Sequence, residues 1–142
     1  MSHILNRGLS RWSIPITLGV LVLLQACAAE QPGQPVQFVT VEAAAAAVER
    51  GVNVVDVRTE REWAEGHLSA ARHMPLSTLD HSLPGSELGR DAPLLLHCKT
   101  GGRASRASRA FVAAGFTDIR VLKPGGYAEL AAAGLPTDTG RE

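Results

Sequence analysis

Apolar residues along the chain fall into short, nearly continuous runs separated by stretches of helical composition. Val36 to Val39 is the first run after a polar stretch, and Thr40 is placed to cap the alanine-rich helix TVEAAAAAVER, which Gly51 stops. Asn53-Val54-Val55-Asp56-Val57 and Pro93-Leu94-Leu95-Leu96-His97 are apolar on consecutive positions, which predicts strands covered on both faces. Glu60 to Glu65 reads as a short helix behind the first of these, and Arg103 to Ala114, closed by Gly115, as a longer one behind the second. Ile119 to Leu122 is a further strand, followed after Pro124-Gly125-Gly126 by the helix Tyr127 to Ala133. Arg72-His73-Met74 is a short candidate strand, and Leu76 to Gly89 reads as irregular. Strands alternating with helices of this size predict βαβ units and an α/β fold, with a mostly parallel sheet and helices on both faces. In such sheets, sites form at the carboxyl ends of the strands.

The segment ahead of Val36 has a different character. Arg7 and Arg11 precede an uncharged apolar run, Ile14 to Leu24, and then Gln25-Ala26-Cys27-Ala28-Ala29, the order of a secretory signal. Leu24-Gln25-Ala26-Cys27 resembles the lipobox of bacterial lipoproteins, which implies a diacylglycerol on Cys27 as the mature N-terminus. The expected organisation is a signal peptide over 1–26, a lipidated tether over 27–35 containing the polar EQPGQP, and one domain over 36–142. The expected location is periplasmic or otherwise extracytoplasmic, lipid-anchored to a bacterial membrane. Ala28 after the lipid cysteine leans toward the outer membrane by resemblance to sorting rules. The rival is an uncleaved anchor, because Trp12 to Ala29 approaches the ~20 apolar residues that span a bilayer, but Pro15, Thr17 and Gln25 dilute it.

Composition narrows the function classes. A length of 142 residues suits one domain, and 45% hydrophobic with 20% charged residues is globular. With 14 Lys+Arg against 14 Asp+Glu there is no basic footprint for nucleic acid. Cys27 and Cys98 are the only cysteines, too few for a disulfide scaffold and without the Cys/His spacing of a zinc site. Neither a metal nor a cofactor is expected.

His97-Cys98-Lys99-Thr100-Gly101-Gly102-Arg103 lies where an apolar strand ends and a helix begins. Successive backbone N–H groups and a helix N-terminus there favour a thiolate on Cys98, and Lys99 and Arg103 add positive charge. Gly101 and Gly102 are read as permitting positive φ and close approach, and the strand-end position as leaving the thiol accessible to water. A cysteine alone is more often a small core residue. Lysine, two glycines and an arginine directly after it favour a binding cradle instead. His97 alternates with Leu96 and reads as a packed strand residue, and Arg106 and Arg109 as a solvated helix face.

Asp56-Val57-Arg58-Thr59, Glu62-Trp63-Ala64-Glu65-Gly66-His67-Leu68, Met74-Pro75-Leu76, the Cys98 to Arg103 loop, Gly125-Gly126 and Ala133-Gly134-Leu135-Pro136 occur in that order. The ordered set resembles the single-domain rhodaneses, from about Val36 to Pro136. The resemblance implies the rhodanese-like fold, a five-stranded parallel sheet flanked by helices. It implies Cys98 as the catalytic nucleophile, taking a sulfane sulfur from an anionic donor such as thiosulfate and passing it to cyanide or a thiol. It also implies Lys99, Thr100, Gly101, Gly102 and Arg103 as the substrate cradle, with Asp56 and Arg58 supporting it from behind and His67 packing or capping. Ser69-Ala70-Ala71 in place of Pro-Gly-Ala, and Tyr127 with Glu129 where a tryptophan often occurs, depart from the pattern.

Three functions compete on these residues. A sulfurtransferase uses Cys98 covalently. A cysteine phosphatase or arsenate reductase would resemble Cys-x5-Arg, whereas that spacing here falls on Ala104 and Arg103 comes one position early. A membrane-tethered sulfur carrier or binding module of the same fold would need no turnover.

Overall fold

The computed structural model describes residues 34–140. The expected signal segment, Cys27 and nearly all of the tether lie outside the described residues. In chain order the elements are β1 (Val36–Val39), α1 (Val41–Glu49), β2 (Asn53–Asp56), α2 (Glu60–Glu65), β3 (His67–Leu68), β4 (Ala71–His73), α3 (Leu79–Ser82), β5 (Leu94–His97), α4 (Gly102–Ala113), β6 (Ile119–Leu122), α5 (Tyr127–Ala132) and β7 (Thr137–Asp138).

Among the described residues, five strands form one sheet in the order β1-β6-β5-β2-β4, every neighbouring pair parallel. The α/β expectation of a five-stranded parallel sheet flanked by helices is met. Alternation along the central strands explains the two-sided cover. Leu94 and Leu96 pack with Val55, Val57, Phe111 and Phe116 on the face of α3 and α4. Leu95 packs with Val54, Leu122, Ala44 and Leu130 on the face of α1 and α5. Burying such side chains contributes roughly 1.5–3 kcal/mol each, so a strand apolar at every position is worth most in the middle of the sheet.

The cap expected at Thr40 is present, and a second one joins it. Thr40 Oγ1 accepts from Ala43 N at 3.3 Å at the start of α1. Thr59 and Glu62 form a reciprocal capping box on α2. Boundaries differ by a residue in places: β4 begins at Ala71, β5 at Leu94 and α4 at Gly102. Two features depart from expectation. The stretch read as irregular contains α3, which buries Leu79 and, just past its end, Leu83. A two-stranded antiparallel ribbon pairs β3 with β7. Four- and two-residue elements carry no periodic signal, because tertiary packing and not local pattern stabilises them.

Candidate active site

Cys98 follows β5 directly, and α4 begins at Gly102, so the intervening residues turn over the carboxyl end of the sheet. Gly101 makes that turn, in the left-handed region at φ 86. A Cβ there would meet Leu122 O and Lys123 Cβ at 2.9 Å, so both conformation and space require glycine. Its amide donates to Cys98 Sγ at 3.1 Å. Gly102 differs from expectation: its φ is not positive and a Cβ would stand in open space, because the helix has already begun. The cradle is also narrower than expected, since among the described residues Gly101 N is the one amide hydrogen-bonded to the sulfur. The thiol is covered, not water-accessible: Cys98 is 1% exposed and packs in the cluster of Val57, Met74 and Ala104. The loop doubles back against its neighbours, which removes the access that a strand end alone would have.

The loop between β6 and α5 forms the floor. Tyr127 N donates to Cys98 O at 2.9 Å, and a Cβ on Gly126 would overlap the carbonyl oxygens of Cys98 and Lys99. Backbone cannot retract as a side chain can. Gly126→Ala is therefore expected to cost about 3 kcal/mol of stability, at the upper end of overpacking, and to shift the Cys98 loop. Urea unfolding and the rate of Cys98 alkylation would both register it.

Two ion pairs flank the loop. Asp56, fully buried at the end of β2, accepts from Arg58 N at 2.9 Å and from Arg58 Nε at 2.8 and 3.0 Å. The Arg58 guanidinium also donates to Gly66 O at 2.7 Å and lies 4.2 Å from the centre of the Tyr127 ring. Arg103, expected to face the substrate, instead makes a bidentate pair with Glu62 at 2.6 and 2.7 Å. The first turns of α2 and α4 bring these two planar groups together edge to edge, and a bidentate fork is among the strongest pairings an arginine makes. Lys99 and Thr100 are exposed, and no carboxylate lies within ion-pair distance of Lys99 among the described residues.

A cleft of about 190 Å³ opens between Arg58, Glu62, Lys99 and Tyr127. A second, of about 230 Å³, lies beyond Arg103, walled by Val57, Pro75 and Leu76. A depression of about 380 Å³ lies at the opposite end of the sheet between Arg50, Asn53 and Pro93, and the covered Cys98 side chain lines none of the three. Glu62 and Tyr127 were not singled out as site residues from sequence. The partner of Glu62 lies 41 positions away in the chain, out of reach of any local spacing.

His97 is fully buried, with both ring nitrogens unpartnered and Nε2 3.8 Å from Asp56 Oδ2. His67 stacks on Trp63 at 3.6 Å and its Nδ1 lies 3.1 Å from Trp63 O, while His73 stacks on Trp63's ring at 4.6 Å. Burial holds His97 below the ordinary histidine value, against the pull of Asp56. The Arg103 hydrogen bonds hold Glu62 down to about 2, from an ordinary 4.5. The signs follow. Below about pH 6.5 the unfolded chain protonates His97 and the folded chain does not, so stability falls as pH drops through that region. The Glu62 contribution is present above the ordinary carboxylate value and is lost between 4.5 and about 2. Urea midpoints measured against pH should show both losses, and Glu62→Gln should remove the lower one alone.

Comparison with known proteins identifies the fold and the family. The rhodanese-like domain pattern matches residues 40–133. The thiosulfate sulfurtransferase GlpE of Pseudomonas aeruginosa is 35% identical over 91 residues, 64% of this chain and 79% of that protein. Thiosulfate sulfurtransferase 16, chloroplastic, of Arabidopsis thaliana is 31% identical over 97 residues, 61% of this chain and 80% of that protein. Among solved structures, the Alr3790 protein of Anabaena superposes with a TM-score of 0.62 at 25% identity, covering 73% of this chain and 94% of that one. A rhodanese-like domain protein of Staphylococcus aureus shares the fold with a TM-score of 0.62 at 22% identity, over 74% of this chain and 99% of that one. On the pattern matched across its strands, loop and helices, the chain belongs to the rhodanese-like domain family.

Proposed function

We propose that the protein is a sulfurtransferase in which Cys98 carries the sulfur. The observation that supports this most is the seat of the thiol, at the carboxyl end of β5 under the turn into α4, with the Gly101 amide donating to Sγ at 3.1 Å. Relatives bearing the name thiosulfate sulfurtransferase at 31–35% identity point the same way. The Cys98 thiolate attacks the outer sulfur of a sulfane donor, the donor's S–S bond breaks, and its electron pair leaves on sulfite or on a thiolate. An acceptor thiolate or cyanide then attacks the outer sulfur of the persulfide and returns Cys98 as thiolate. The Gly101 amide faces the sulfur throughout and offsets its charge. Because Cys98 is 1% exposed, loading requires the loop or a cleft wall to move aside.

A phosphate-transfer reading has less support: Arg103 is tied to Glu62 and offers no free fork to a tetrahedral oxyanion. Export and lipid attachment through Cys27 belong to the same proposal, resting on the Leu24 to Cys27 segment. Incubation with thiosulfate should leave the protein one sulfur atom heavier, and cyanide should remove that atom as thiocyanate. Absence of loading from thiosulfate, mercaptopyruvate and polysulfide would sink the enzyme and leave the tethered binding module.

A further inference from the structure

Arg58, Lys99, Arg103 and Lys123 are cationic side chains around the Cys98 loop, and three are already engaged. Arg58 is paired with buried Asp56, Arg103 with Glu62, and the Lys123 ammonium lies 5.5 Å from the centre of the Phe38 ring. Lys99 remains. A doubly charged donor entering beside Lys99 meets the Glu62 carboxylate in the wall of the same cleft. On the other side of the ion pair the cleft is lined by Val57, Pro75 and Leu76, and its two arginines, Arg58 and Arg103, are both already paired with carboxylates, which leaves a surface for carbon.

We propose that Glu62 determines donor choice: by neutralising Arg103 it fits the site to an organic persulfide of low charge, whose carbon chain lies against Val57, Pro75 and Leu76, and disfavours a dianion such as thiosulfate. This rests on the sulfur-transfer reading above and specifies its substrate class. The step balances without an oxidant. The Cys98 thiolate forms a bond to the outer sulfur of R–S–SH, the donor S–S bond breaks with its electron pair on RS⁻, and the proton stays on the transferred sulfur. Glu62 acts through Arg103 and is a positioning residue. Its carboxylate also caps α2, accepting from Thr59 N at 3.0 Å, and a glutamine can keep that hydrogen bond while dropping the charge.

The test uses the full chain, loaded with thiosulfate or with 2-hydroxyethyl persulfide, the rate of sulfur gain at Cys98 being read by mass against donor concentration. The unmodified protein is expected to load faster from the persulfide. Glu62→Gln is expected to raise thiosulfate loading roughly tenfold, with persulfide loading changed less than about twofold, and added salt should shrink the gain. A purely structural role would lower both donors together and leave their ratio and salt dependence alone. Should Glu62→Gln fail to fold, Ser77→Phe, at an exposed position on the apolar cleft, is expected to slow the persulfide several-fold and spare thiosulfate. Loading with a donor ratio unmoved by Glu62→Gln, or by Ser77→Phe in its place, overturns this inference and leaves sulfur transfer standing. Loading from neither donor overturns both.

Discussion

A Cys98→Ser variant is expected to take up no sulfur from any donor while unfolding within about 1 kcal/mol of the parent protein. The hydroxyl is close to the thiol in size and keeps the Gly101 amide as a partner, so the turn into α4 survives. An oxygen in that place forms no persulfide, and loss of transfer is complete, not partial, because the intermediate cannot exist. The only other cysteine in the sequence is Cys27, so peptide mapping of any residual sulfur distinguishes the two positions. Sulfur transfer surviving in Cys98→Ser would remove the covalent reading. Burial of the thiol adds a second expectation: alkylation of the parent protein should be limited by opening of the loop, and slower than for an exposed cysteine of equal acidity.

Arg58→Met should be the most destabilising single change at the site, by about 3–5 kcal/mol, because it strands the Asp56 carboxylate in the interior. Asp56 has no exposure and Arg58 is 5% exposed, so water cannot replace the lost guanidinium. The change also leaves Gly66 O without its 2.7 Å donor and uncovers the face of Tyr127. Removing the charge on both sides, with Asp56→Leu and Arg58→Met together, should recover most of the loss, since a buried pair and a well-packed apolar pair are often of similar stability. Urea unfolding of the two single variants and the double variant closes the cycle. A cost below about 1 kcal/mol for Arg58→Met would mean that Asp56 is held mainly by the backbone amide of residue 58.

How much of this was legible along the chain follows from the range of the interactions involved. The Leu94 to Leu96 run reads as a strand buried on two faces, Thr40 stands where a cap stands, and the Cys98 to Arg103 loop announces itself by composition. Each is decided within a few residues by periodicity, propensity or backbone freedom, and together they determined the α/β class, the parallel sheet and the end of the sheet where the candidate site lies. The partners of Arg103 and Cys98 are of another kind. Arg103 reads as a free cation until α2 and α4 are laid side by side and Glu62 arrives 41 positions away. Gly126 reads as a turn residue until its missing Cβ is found to make room for the Cys98 carbonyl. Closure over the thiol, neutralisation of two arginines and the split between a polar and an apolar cleft depend on distances between elements far apart in sequence, and a linear pattern contains no such distances. The sequence alone marked the Cys98 loop and the end of the sheet that carries it, and the tertiary structure decided which side chains surround that loop and which of their charges are already paired.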